Sequence, residues 1–149
     1  MKPEETIDFH LRWLWQKTMR LYNTEASKFG GSMSVGYILL NIDKEGTPST
    51  KLGPKMGMES RSLTRTLKTM EDKGLIYRSQ HENDGRSVLI QLTDEGKKYR
   101  ETAREVVIRL NEFLRKNINP QKLKTFLEVA QEMNSLLDSD LIFTEKEKN

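Results

Sequence analysis

The chain has 149 residues, 25 Lys and Arg against 22 Asp and Glu, and no cysteine. That length suits one domain with a real core, and the missing cysteine excludes disulfides, thiolate metal sites, a cysteine nucleophile and thiol-based redox sensing. No apolar run approaches the roughly 20 residues of a membrane span. The acidic start Met1-Lys2-Pro3-Glu4-Glu5 does not read as a secretory signal, so a cytoplasmic protein without a membrane partner is expected.

The formal charge of +3 is small, and its location is more informative. Between Thr47 and Thr93 stand Lys51, Lys55, Arg61, Arg65, Lys68, Lys73, Arg78 and Arg86, against Glu59, Glu71, Asp72, Glu82 and Asp84. The middle third therefore holds all of the net charge, and the two flanking arms are neutral. A local basic surface is the footprint that phosphate binding requires.

Apolar residues at Ile7, Leu11, Leu14/Trp15, Met19, Tyr22, Ala26 and Phe29 predict a first helix from about Thr6 to Phe29, stopped by Gly30-Gly31. Ser32 or Ser34 can cap a second helix, with Tyr37, Ile38, Leu39 and Ile42 inward and Gly46 ending it. Thr47-Pro48-Ser49-Thr50 reads as the opening of a short third helix. Pro54 deletes a hydrogen bond inside that helix, which is expected to be short or kinked before Gly57 breaks it. A fourth helix is predicted from about Glu59 to Lys73, ending at Gly74.

The period then changes. Leu75–Ser79 and Ser87–Leu92 read as two strands joined through Asn83-Asp84-Gly85, a strong turn signal. Thr93 caps a long helix to about Asn117, and Asn119-Pro120 separates it from a last helix over about Gln121 to Asp138. The fold class is mostly α with a small β-hairpin wing. Short helix, turn, amphipathic helix and hairpin in that order outline a winged helix-turn-helix.

On the fourth helix Leu63, Leu67 and Met70 share one side, while Arg61, Arg65 and Lys68 share the other with Thr64 beside them and Ser62 and Thr69 on the flank. A helix in the major groove needs short polar residues for close approach and long donors to reach base edges and phosphates. Taken alone the stripe is also what any solvated helix face shows; here acids are confined to Glu59 at the start and Glu71 and Asp72 at the end. Arg86, the only basic residue of the turn, suits a wing tip in the minor groove, and Asp84 is placed to fix its direction.

The run from Ser62 to Arg78 resembles the recognition helix and first wing strand of the multiple-antibiotic-resistance regulator (MarR) family. Asn83-Asp84-Gly85-Arg86-Ser87, followed by Leu92-Thr93-Asp94-Glu95-Gly96, is similar to that family's wing signature. The resemblance implies a homodimer whose N- and C-terminal helices form a dimerisation region. It implies a pseudo-palindromic operator in double-stranded DNA, usually under repression released by a small aromatic or phenolic anion. By position, Ser60, Arg61, Ser62, Thr64 and Arg65 would face the groove, with Arg86 at the wing tip and Asp84 as its partner; Lys68 would hold phosphate. Glu59 departs from the family's usual Ser or Thr cap. The chain then divides into a dimerisation helix (1–31), a winged lobe (32–93) and C-terminal dimerisation helices (94–149).

His10 and His81 are the only histidines and lack a ligand set, so no metal or cofactor is expected; His81, beside the wing, is placed to touch a phosphate. Trp13 and Trp15 cannot both enter one core. His10, Trp13 and Tyr37 are the candidate effector contacts. No Gly-rich phosphate loop or paired carboxylates mark an enzyme. The alternative to DNA binding is a winged-helix module for protein contact.

Overall fold

The computed structural model describes residues 1–81 and 84–138, the side chains of 81 and 84–87 excepted. After a 3-10 turn over Pro3–Glu5, the elements are α1 (Ile7–Ser27), α2 (Met33–Asn41), β1 (Thr47–Pro48), α3 (Ser49–Met56), α4 (Ser60–Asp72), β2 (Ile76–His81), β3 (Asp84–Leu92), α5 (Asp94–Asn117) and α6 (Pro120–Leu137). The chain forms two compact units, Met1–Ile108 and Arg109–Asn149. Among the described residues no helix is long and apolar enough to cross a membrane.

Side-chain caps set most helix starts. The N–H of Phe9 donates to Thr6 Oγ1 at 3.4 Å and that of Val35 to Ser32 Oγ at 3.3 Å, so Ser32 rather than Ser34 begins α2. Asn119 Oδ1 accepts from Gln121 and Lys122 and leaves Pro120 at the first position of α6, where its missing N–H costs nothing.

The core belongs to the first unit. Val35, Ile38, Leu39 and Ile42 recur at i, i+3, i+4 and i+7 along α2 and its exit. They pack with Leu52 and Met56 of α3, Leu63, Leu67 and Met70 of α4, and Leu75, Ile76 and Ile90 of the sheet and its approach. Each such side chain contributes about 1.5–3 kcal/mol by leaving water. Tyr37, expected inward, is 43% exposed instead, because the buried stripe of α2 runs through Val35, Ile38 and Leu39 and leaves position 37 off it.

The sheet has three strands in the order β1-β3-β2, all antiparallel. The hairpin expected from the sequence is thus joined by a strand where a helix opening was expected. Thr47 precedes a proline, which disfavours its α conformation, and Pro48 itself is extended at φ −55°, ψ 131°. The Thr47 hydroxyl fixes the approach, accepting from the Asp43 N–H at 2.9 Å and donating to the Asp43 carboxylate at 3.1 Å. Thr47 and Pro48 then lie against Ile90 and Leu89. The helix α3 is short, eight residues with Pro54 inside, and Gly57 ends it at φ +63°. Lys55 ties it to the end of α2, donating to the Asn41 carbonyl at 3.0 Å and to Asp43 Oδ1 at 3.2 Å.

The first turn of α5 is fastened to the exit of α4. Thr93 Oγ1 donates to the Gly74 carbonyl at 2.6 Å and accepts from the Gly96 N–H at 3.0 Å, while the Thr93 N–H donates to the Leu75 carbonyl at 3.1 Å. A Cβ on Gly96 would fall on that same Leu75 oxygen.

Gly96→Ala therefore requires the two backbones to part, and a loss of about 1–3 kcal/mol or more is expected from chemical denaturation. Asp43 has its pKa lowered by the Lys55 hydrogen bond and then by Thr47. A depressed carboxylate stabilises the fold above its unfolded value, near 3.8, and that contribution disappears as pH falls through the lower folded value. Asp43→Asn should accordingly flatten the pH dependence of stability below about pH 4, as read from thermal melts across that range.

Candidate nucleic-acid interface

The helix α4 begins at Ser60 with Glu59 extended as its N-cap, making no side-chain cap bond. One face is sealed: Leu63, Leu67 and Met70 are 5%, 3% and 0% exposed. Ser60, Arg61, Ser62, Thr64, Arg65 and Lys68 are all exposed on the remaining surface. Thr64, Thr66 and Thr69 donate their hydroxyl protons to the carbonyls of Ser60, Ser62 and Arg65, one turn back, at 2.8, 2.9 and 3.1 Å. These short side chains lie close along the helix while the guanidiniums and the ammonium extend beyond them.

The pairing of charges separates the basic residues of the middle third. Lys55 is paired with Asp43, and Arg78 with Glu71 at 3.1 Å, which fastens β2 to the last turn of α4. Lys51, Arg61, Arg65, Lys68 and Lys73 make no ion pair among the described residues. On α5, by contrast, Lys97, Lys98 and Arg104 each meet a carboxylate three residues earlier. Within the middle third, the described cations without an ion pair therefore lie on or beside α3 and α4. Lys51, exposed on α3, adds to the residues singled out from the sequence; its signal was a lysine on the polar side of a helix whose next residue, Leu52, is buried.

The wing's backbone pairs β2 with β3 from Ile76↔Leu92 to Gln80↔Val88, with an irregularity between Gln80 and His81. The side chains of Asp84, Arg86 and His81 lie outside the described residues.

A half-open cavity of about 310 Å³ lies between α1, α2 and the first half of α5. Its lining includes Trp15, Tyr22, Phe29, Met33, Tyr37 and Tyr99, and contains no Lys, Arg, His, Asp or Glu. Of the three residues read as effector contacts, Tyr37 lines this cavity and the other two do not. His10 Nε2 lies 2.9 Å from the Glu4 carbonyl, and Trp13 leans on Phe9 with ring centroids 6.2 Å apart. The neighbouring tryptophan, Trp15, faces the cavity instead. Two positions on a helix point about 200° apart, and the sequence alone does not say which one turns inward.

A sealed helix face, an opposite face of unpaired cations and a hairpin directly after it define a winged helix-turn-helix protein. Residues 37–88 match the model of the MarR family. The transcriptional regulator SarZ of Staphylococcus epidermidis is 32% identical over 111 residues, covering 72% of this chain and 73% of that protein. The organic hydroperoxide resistance transcriptional regulator of Bacillus subtilis is 41% identical over 69 residues, and the chain there spans about half of that relative, 47%. The MepR–DNA complex of Staphylococcus aureus superposes with a TM-score of 0.80 at 18% identity, over 87% of this chain and 97% of that one. The chain belongs to the MarR family of transcriptional regulators.

Proposed function

We propose that this chain is a sequence-specific DNA-binding transcriptional regulator that acts as a homodimer, with α4 of each subunit in the major groove of one half of a pseudo-palindromic operator. The observation that carries this reading is the set of unpaired cations, Arg61, Arg65 and Lys68, on the face of α4 opposite its buried side. Within the middle third, where Lys55 and Arg78 are each held by a carboxylate, these three make no ion pair among the described residues and can meet an external anion. Ser60, Ser62 and Thr64 lie close enough to the axis to let the backbone approach base edges, and Arg65 sits where a bidentate contact to guanine suits it. The wing between β2 and β3 is read as the minor-groove element, with Arg86 as its contact and Asp84 as a candidate partner. Lys51 adds a phosphate contact from α3.

Homodimerisation is supported by the apolar residues that the terminal helices leave in water. No residue of α1 or α6 is buried, and Phe126, Leu127, Leu136 and Leu137 are 50%, 47%, 64% and 62% exposed. A second subunit removes such surface from water at about 25 cal/mol per Å². Repression relieved by a small aromatic ligand in the cavity of α1, α2 and α5 completes the reading, with Tyr37 as one contact.

Selection of bound sequences from random duplex DNA with the purified chain tests this. Half-sites about one helical turn, ~34 Å, apart are expected, with log affinity falling against log salt at a slope of roughly −0.9 per phosphate contacted. Arg65→Ala should cost about 1–3 kcal/mol at one base position, whereas Lys68→Ala should weaken all sequences evenly. A fold without salt-steep duplex affinity would instead mark a module for protein contact. Phe126→Glu should shift the dimer to monomer in sedimentation and lower operator affinity with it.

A further inference from the structure

We infer that Arg78 is a positioning residue for DNA binding: its ion pair with Glu71 sets the angle of the β2–β3 hairpin to α4, so that wing and helix reach neighbouring grooves together. The inference rests on the DNA-binding reading above and names what aligns its two contact elements.

Five ion pairs join residues three or four apart on one helix and support that helix alone. Two others cross between elements. Lys55 with Asp43 ties α3 to the segment after α2, and Arg78 with Glu71, at 3.1 Å, ties the third residue of β2 to the last turn of α4. The position of the second is what gives it a role. Buried anchoring of the hairpin ends near its base: Ile76 and Ile90 are 2% and 0% exposed, and β1 covers β3 only at Ile90 and Leu89. From Gln80↔Val88 outward the sheet is a two-stranded ribbon, and both of these residues are exposed. Such ribbons are marginal in water and twist strongly. Arg78 lies two residues beyond Ile76, on the same face of β2 and opposite Ile90. It is the outermost described residue of the hairpin with a side-chain bond to α4.

A bond at that point fixes the angle at which the rest of the ribbon projects past α4. Without it the wing samples other angles, and DNA binding must restrain it again. An exposed pair is worth only about two- to fivefold in an equilibrium, a small part of the stability of a folded domain. A homodimer presents two wings, and the two factors multiply to roughly four- to twenty-fivefold in operator affinity. The sign of the effect separates this role from bulk charge. Glu71 is an acid at the end of the DNA-facing helix, so by charge alone its removal tightens binding. As a brace, its removal weakens binding.

The test compares Glu71→Ala, Arg78→Ala and the charge exchange of Glu71→Arg with Arg78→Glu, which keeps the net charge and rebuilds the pair. The chain has no cysteine, so Gln80→Cys carries a single nitroxide whose spectrum reports hairpin motion without DNA. We expect both single variants to mobilise the label with the melting temperature nearly unchanged, and the exchange to restore it. On unlabelled chains and the operator selected by the parent, Glu71→Ala should bind roughly four- to twenty-fivefold more weakly. It should also lose discrimination between A·T and G·C where the wing meets the minor groove, and keep discrimination at the bases read by α4. The exchange should recover most of the loss. Glu71→Ala binding as tightly as the parent, or more tightly, overturns the inference, and so does a label equally immobile in every chain. Weaker binding with the wing's discrimination intact assigns the pair to stability alone and overturns it too. Should the exchange fail to fold, Glu71→Ala decides by itself, because charge and brace predict opposite signs. A parent without salt-steep duplex affinity fails the DNA reading and this inference with it. A parent that binds, with Glu71→Ala not weakened, fails this inference alone.

Discussion

The first unit turns on one close approach, that of α5 to the end of α4. Gly96 lies against the Leu75 carbonyl so tightly that no side chain fits between them, and Thr93 grips both Gly74 and Leu75. Four elements meet at this point: the exit of α4, the start of β2, the end of β3 and the first turn of α5. Moving α5 therefore carries the exit of α4 with it, since backbone hydrogen bonds and hard contact leave little slack. Tyr99 and Ala103, which line the cavity, lie on the same helix one and two turns further on. The cavity wall and the support of the basic face are thus consecutive parts of one rigid segment, the physical requirement for one site to influence the other.

Charge is organised locally rather than in bulk. The chain's +3 would steer nothing by itself, but the distribution of partners makes the difference. On α5 Lys97, Lys98 and Arg104 sit three residues after acids and are spent on exposed pairs worth little. On α4 the acids stay at the ends, and Glu71 is engaged by Arg78. That pair has a mechanical use as well, because it fixes the wing's first strand beside the helix it flanks. Among the described side chains of this region, the cations without an ion pair are Lys51, Arg61, Arg65, Lys68 and Lys73, all of them on or next to α3 and α4.

Much of this was legible in the sequence because the relevant signals were periodic or chemical. The sealed face of α4 follows from Leu63, Leu67 and Met70 at helical spacing, and Thr93 announces its helix by its side-chain oxygen. Two kinds of feature were not legible. A two-residue strand has no period, so Thr47-Pro48 read as a helix opening although the proline already pushed Thr47 toward extended geometry. The cavity is a product of three helices far apart in sequence, and which of Trp13 and Trp15 faces it depends on the rotation of α1, which one-dimensional spacing leaves open. Tyr37 shows the same limit: its neighbours Ile38 and Leu39 are buried, while its own ring stands at the edge of the space they leave.

The short strand β1 has a consequence for how the molecule behaves in a crowd. Antiparallel sheets end in rows of unpaired N–H and C=O groups, and such rows recruit other chains into intermolecular sheets. Here β1 closes one side of β3 with two residues, and Pro48 has no N–H to offer. A foreign strand arriving at that margin finds almost no ladder to extend. The segment that interrupts the helical lobe thereby protects one margin of the wing from aggregation.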